Sequence, residues 1–271
     1  MTPFSFDIRA IATPLESCTS LRAGHLDPDV LKALRANDFD QAPVLDEQGA
    51  AIGVLETVAA ESLRAADRPL ELDDPAIDRG VLPTECSVGA LLTALSRSRG
   101  VLVRGDGYEA MVTVSDLNRH RFRAVLYGAF AELESLLARL IDVAYEDAWE
   151  WLQTLREDVQ ARLAGYWTVA QRRGVDIGPQ AAATLTELLA VVGTANDLRR
   201  QLGFATRAAF DRQTSGMPEY RNRIMHPVRP LVLDRSEVSQ LAVSLARVEA
   251  LVRSVRAALA ERGYGSRVAW L

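Results

Sequence analysis

The side chains best suited to acid-base chemistry on a phosphate lie late in the chain, in Glu219-Tyr220-Arg221-Asn222-Arg223-Ile224-Met225-His226-Pro227. Breaking a phosphodiester without a metal needs a base for the attacking hydroxyl, a positive group for the pentavalent phosphate and an acid for the leaving oxygen. Imidazole near neutral pH suits both proton roles, and a guanidinium suits the phosphate. His226 is the only histidine in residues 121–271, so one chain cannot supply both; a two-fold dimer that joins two motifs can. On a regular helix Asn222 and His226 share a face, being four residues apart. Arg221 then lies about 140° round the helix from His226 and needs its own length and the break at Pro227 to reach the same phosphate. By residue type alone His226 suits proton transfer, Arg221 the phosphate, and Asn222 the orientation of His226 or substrate; the spacing does not by itself make a site. The competing reading is an interior polar network that pins helices.

These residues need a scaffold, and the chain from Asn118 onward reads as helices. Leu126, Phe130, Leu133, Leu137, Leu140 and Ala144 advance by alternating steps of four and three, a packed helical stripe. Residues 149–164 and 179–192 read as two more helices, with Gly165, Gly174 and Gly178 as terminators. A long last helix over about 236–262 carries Val238, Leu241, Leu245, Val248, Val252, Val255 and Leu259 as one apolar seam, either bundle core or a dimerisation face. Trp149, Trp151 and Trp167 read as core or helix-interface residues rather than base-stacking platforms. The chain closes on the apolar tail Val268-Ala269-Trp270-Leu271, a candidate for docking on a neighbour.

The front of the chain alternates strands and helices twice. A helix over 29–37 precedes Ala42-Pro43-Val44-Leu45, the turn Asp46-Glu47-Gln48-Gly49 and Ala51-Ile52-Gly53-Val54-Leu55. A helix over 88–96 precedes Val101-Leu102-Val103, the turn Arg104-Gly105-Asp106-Gly107 and Ala110-Met111-Val112-Thr113, with a helix start at Ser115-Asp116. Residues 68–83 form a connector plus the first strand of the second copy. The expected fold class is therefore α+β with two domains: a tandem α/β domain over residues 1–120 and an all-α bundle over 121–271.

Composition agrees. The chain has 271 residues, 48% hydrophobic and 25% charged, with a formal charge of −5. Residues 1–120 hold 11 Arg and Lys against 19 Asp and Glu, whereas the remainder holds 20 against 17. An acidic front grips phosphates poorly, so nucleic-acid contact belongs to the back, and strong nonspecific duplex binding is not expected. No apolar run spans a membrane and Met1-Thr2-Pro3-Phe4 opens no secretory signal, so the expected location is cytoplasmic. Cys18 and Cys86 lack metal-ligand spacing and read as ordinary thiols. In the front half His25 and His120 stand alone, with no nucleophile-base set, glycine-rich phosphate loop or metal cluster.

The duplicated unit resembles a cystathionine-β-synthase (CBS) domain pair over roughly residues 14–121, with Ala42-Pro43-Val44-Leu45-Asp46 and Gly53-Val54-Leu55 in one copy and Met111-Val112-Thr113-Val114-Ser115-Asp116-Leu117 in the other. That resemblance implies a sensor or dimeriser that binds an adenine nucleotide, with Thr113 at the phosphate and Asp116 at the ribose. The first copy has Glu56 and Ala59 at these offsets, and a carboxylate repels a phosphate, so one nucleotide site per chain at most is implied. The simpler reading is that Ser115 or Asp116 caps a helix.

The back half resembles the HEPN family, in which an Arg, commonly followed by Asn, precedes a His by four to six residues on a helix of a small bundle. Here Arg221-Asn222 is followed by His226 after four. The likeness extends to Glu134 in Glu134-Ser135-Leu136-Leu137, matching an acidic residue that often faces the motif and would hold Arg221. It implies a metal-independent endoribonuclease that leaves a cyclic phosphate, works as a homodimer and needs no catalytic cofactor, in stress or phage defence as a toxin-like effector. Val228 stands where a nucleotidylated tyrosine would be in an antitoxin-modified variant. The alternative is a non-catalytic ligand-sensing dimer whose helical half binds a protein or RNA partner.

Overall fold

Strand β1 (Ser5–Asp7) and the two-residue β2 (Thr13–Pro14) precede the first copy of a repeated unit. In that copy β3 (Leu21–Arg22) leads to helix α1 (Pro28–Ala36), the hairpin β4 (Gln41–Leu45) and β5 (Ala51–Glu56), and helix α2 (Thr57–Ala65). The second copy runs β6 (Val81–Leu82), β7 (Glu85–Ser87), α3 (Val88–Arg97), β8 (Gly100–Gly105) and β9 (Tyr108–Thr113). The computed structural model describes residues 5–264. The duplication holds at the level of pairing: β3 is parallel to β4 and β4 antiparallel to β5, while β6 is parallel to β8 and β8 antiparallel to β9.

Local chemistry accounts for these elements. Asp27 accepts the Asp29 N–H at the start of α1 with Pro28 in the first helical turn, and Ser87 accepts the Ala90 N–H at the start of α3. The second hairpin turns on Asp106 and Gly107, both at positive φ, the backbone that an Asp-Gly two-residue turn requires. Leu21, Leu34, Val44, Leu55 and Leu70 form a core in the first copy, each at most 1% exposed. Such side chains contribute roughly 1.5–3 kcal/mol apiece on burial.

After β9 a 3-10 turn (Val114–Asn118) precedes α4 (His120–Ala144). The two are separated at Arg119, whose extended backbone (φ −65°, ψ 143°) ends the turn before α4 begins. Then come α5 (Ala148–Leu152), α6 (Glu157–Arg172), α7 (Leu185–Thr194), α8 (Asn196–Gln201), α9 (Arg207–Thr214), α10 (Met217–Met225) and α11 (Arg235–Glu261). Two expected helices are redrawn. Residues 149–164 divide between α5 and α6 around a turn in which the Thr154 hydroxyl donates to the Trp151 carbonyl (2.7 Å), and Gly165 lies inside α6 rather than ending it. Residues 179–182 form only a 3-10 turn, and α7 begins after Thr184, which makes a reciprocal cap with Glu187.

The chain divides into two compact units, Met1–Val125 with His226–Val243, and Leu126–Met225 with Ser244–Leu271. Residues 226–243, assigned from sequence to the helical domain, lie in the front unit. In the other unit Leu126, Phe130, Leu133, Leu137 and Leu140 of α4 are at most 1% exposed. The α11 seam, Val238 through Leu259, is buried along its length within a single chain. It is therefore core, and the reading of that seam as an exposed dimerisation face is withdrawn. Trp151 is buried, and Trp149 is 45% exposed with its ring 6.2 Å from Trp167. The tail Val268–Leu271 lies outside the described residues. No helix among the described residues is long and apolar enough to cross a membrane.

Candidate functional site

In the helical unit α10 carries Glu219, Tyr220, Arg221, Asn222 and Arg223. Ile224 is 5% exposed and anchors the helix, whereas Asn222 and Met225 on the same short helix are exposed. Arg221 is partly buried, and its Nε donates to Glu134 Oε1 of α4 at 2.9 Å. The two are 87 residues apart in sequence. This bond uses the Nε–H, one of the five N–H donors of the guanidinium. Tyr220 packs under Arg223, whose guanidinium carbon is 5.8 Å from the ring centre.

His226 does not share a helical face with Asn222, contrary to the expectation from spacing, because α10 ends at Met225. The reason is local: proline disfavours helical backbone in the residue before it, and Pro227 follows His226. His226 opens a turn in which the Arg229 N–H donates to the His226 carbonyl (3.0 Å), with Pro227 at the position where its fixed φ suits a turn. The imidazole is exposed. Arg221 and Asn222 close one segment of the helical unit, and His226 opens the second segment of the front unit.

That second segment is fastened to the front unit by side chains next to the second repeat. Asn118 Oδ1 accepts the N–H groups of Leu231 (2.6 Å) and Val232 (3.2 Å), and its Nδ2 donates to the Val232 carbonyl (2.9 Å). Arg123, 4% exposed, donates to the Arg229 carbonyl and to the Asn118 carbonyl (3.4 Å); burial pulls its pKa below the usual guanidinium range. Arg235 at the start of α11 donates to the Arg97 carbonyl (3.2 Å).

Thr113 and Asp116 come together, three residues apart, at the end of β9. Asp116 Oδ2 accepts the Thr113 N–H (2.8 Å) and hydroxyl (3.0 Å), and Oδ1 faces Arg119 Nη2 at 2.7 Å. At 5% exposure the carboxylate is enclosed, and burial raises its pKa against the opposing pull of the Thr113 N–H, Arg119 and the Thr113 hydroxyl. The pair thus forms a reciprocal cap on the 3-10 turn, with Thr113 as the capping residue in place of Ser115 or Asp116.

No protein-family model and no curated protein matches the chain. The front two fifths is similar to solved CBS domain structures. One is a CBS domain protein from Streptococcus pneumoniae, 13% identical, covering 40% of this chain and 82% of that one with a TM-score of 0.34. Another is from Shewanella oneidensis, 22% identical, covering 41% and 92% with a TM-score of 0.34. A third is the CBS domain of the bacterial CNNM/CorC family Mg2+ transporter in complex with ATP, 19% identical, covering 41% and 83% with a TM-score of 0.33.

One feature of the front unit escaped the sequence: a cavity of about 200 Å³ whose wall includes Gln41, Glu56, Arg97, Arg99 and Arg235. Thr113 and Asp116 do not line it. Glu56, the residue that would repel a phosphate, is paired with Arg99 (Nε to Oε1, 3.2 Å), so its charge is balanced in place. Gln41 Oε1 is buried without a hydrogen-bond partner. The residues come from both repeats and from α11, a juxtaposition that no local spacing encodes. Among the described residues no group of three or more His, Cys, Asp or Glu is arranged to hold a metal.

Proposed function

We propose that this chain is a metal-independent endoribonuclease of the HEPN type, acting as a homodimer and regulated by an adenine nucleotide bound to its CBS-like front unit. The reading is carried by the Arg221–Glu134 pair: the guanidinium that the motif assigns to a phosphate is held in place by the acidic residue that the resemblance assigns to hold it. In the reaction the 2′-oxygen attacks phosphorus and the bond to the 5′-oxygen breaks, leaving a 2′,3′-cyclic phosphate and a free 5′-hydroxyl. His226 takes the 2′-proton, the partner subunit's His226 protonates the departing oxygen, and Arg221 compensates the charge that builds on the phosphate. Asn222, exposed beside Arg221, contacts substrate. Adenine nucleotide would meet Thr113 with its phosphate and Asp116 with its ribose, and would have to exchange the bonds Asp116 now makes for its own.

The test is cleavage of mixed RNA in the presence of a chelator. His226→Ala and Arg221→Ala should each lower the rate at least about 100-fold, the usual contribution of a positioned acid-base group or charge donor, with dimer and fold unchanged by sedimentation and circular dichroism. Cleavage at the wild-type rate by His226→Ala eliminates the proposal.

A second reading has its own support. Arg221 is ion-paired and only partly exposed, which is also how an arginine behaves when its task is to tie α10 to α4. The helical unit would then be a non-catalytic platform for a protein or RNA partner. Wild-type protein that binds RNA under chelation but leaves it intact would favour this reading.

A further inference from the structure

We infer that Asn118 is a positioning residue that links Thr113–Asp116 to the backbone segment bearing His226; this rests on the ribonuclease and nucleotide reading above. The argument begins from where His226 sits in the chain. It opens the stretch His226–Val243, which packs as part of the front unit although 100 residues of the helical unit separate it from Val125. The stretch has almost no regular structure before α11, yet Leu231 and Val232 are 0% and 1% exposed. Their backbone groups are cut off from water and need partners within the protein.

Asn118 supplies three of those partners with one side chain, accepting from two N–H groups and donating to a carbonyl. An amide does this with two separate atoms, its oxygen accepting and its nitrogen donating, which matches the two N–H groups and one carbonyl presented here. Arg123 adds a bond to the Arg229 carbonyl, at the far end of the turn that His226 opens. Asn118 is also the last residue of the 3-10 turn that Thr113 and Asp116 cap, two positions beyond Asp116. Any ligand that draws Thr113 or Asp116 out of their mutual hydrogen bonds loosens that cap, and the turn it holds ends at the side chain gripping Leu231 and Val232. Occupancy at the end of β9 is thereby transmitted to the segment behind His226 through Leu117, Asn118 and the hydrogen bonds of the Asn118 amide.

The experiment uses the full chain with ATP as probe. Binding is measured by calorimetry, and amide exchange is followed at Arg229, Leu231 and Val232 by NMR or by short overlapping peptides, for wild type, Asn118→Ala and Asn118→Asp. ATP should change exchange at Leu231 and Val232 at least about tenfold in wild type. Asn118→Ala should exchange at these amides at least about tenfold faster without ligand and show no response to ATP, while amides of α6 and α7 keep wild-type rates. Asn118→Asp keeps the acceptor and loses the donor, so it should restore protection at Leu231 and Val232. ATP binding without any change in the segment overturns the link while leaving the nucleotide reading intact. Failure of ATP to bind removes the nucleotide reading and the link with it. Wild-type exchange in Asn118→Ala shows that Asn118 does not hold the segment, and if that variant does not fold, the same comparison of Asn118→Asp with wild type, with and without ATP, decides.

Discussion

At the scale of single residues, Asp116 and Cys86 show how enclosure alone sets chemistry. Asp116 has a pKa raised chiefly by burial, so the fold disfavours its charged form. A carboxyl with a raised folded pKa adds stability that is fully present below its ordinary value and lost as pH rises through the folded value. Asp116→Asn should therefore gain ground on wild type as pH is raised from 3 to 6, read as the difference in chemical denaturation midpoints; a difference that is flat over this range would refute the assignment. Cys86 is buried, and its thiol is pushed up to about 11. At pH 8 its thiolate fraction falls about 100-fold below that of a free cysteine, so alkylation of Cys86 in the native chain should be slower by at least that factor and recover in denaturant.

At the scale of elements, the cap on α7 and the crossing at Gly53 carry measurable energy. Glu187 is enclosed, which raises its pKa, yet the Thr184 N–H, Arg162 and the Thr184 hydroxyl together outweigh this and leave it lowered. Its contribution is present above the ordinary carboxylate value and is lost as pH falls through the depressed one. Glu187→Ala should cost about 1 kcal/mol at pH 7, and the cost should shrink towards pH 3. Gly53 lies where β5 and the connector before β6 exchange backbone hydrogen bonds between Val54 and Asp78, and an added Cβ would fall 2.5 Å from the Asp78 carbonyl oxygen. Gly53→Ala should lower stability by about 1–3 kcal/mol, read by thermal or urea denaturation.

Much of this element plan is legible in the sequence. Both hairpins, the Asp106-Gly107 turn and the long stripes of α4 and α11 follow from period and turn chemistry alone. What was not legible is of two kinds. Helices α8, α9 and α10 are six to nine residues long and mostly polar, too short for an apolar period to stand out. The cavity wall and the Asn118 clamp depend on residues more than 50 positions apart, and no local pattern marks them. The displacement of His226 from the helix was written in Pro227, a local signal that the four-residue spacing overrode.

At the scale of the whole molecule, the proposed reaction asks for two His226 side chains and thus for two chains. Mixing wild type with a growing excess of His226→Ala chains should lower activity per wild-type chain, because mixed dimers hold one imidazole and not two. Activity that simply tracks the amount of wild-type chain would show that each protomer cuts alone. Burial of the α11 seam leaves those seven residues unavailable to the proposed dimer.

The division of the front unit between Met1–Val125 and His226–Val243 has a consequence for synthesis. A ribosome releases the repeats first, and a hundred residues follow before the partners of the Asn118 amide at Leu231 and Val232 are made. Only after residue 243 leaves the exit tunnel can the front unit close, and by then residues 126–225 of the helical unit have been made. The front unit is thus begun first and completed only after His226 and the segment behind it have emerged.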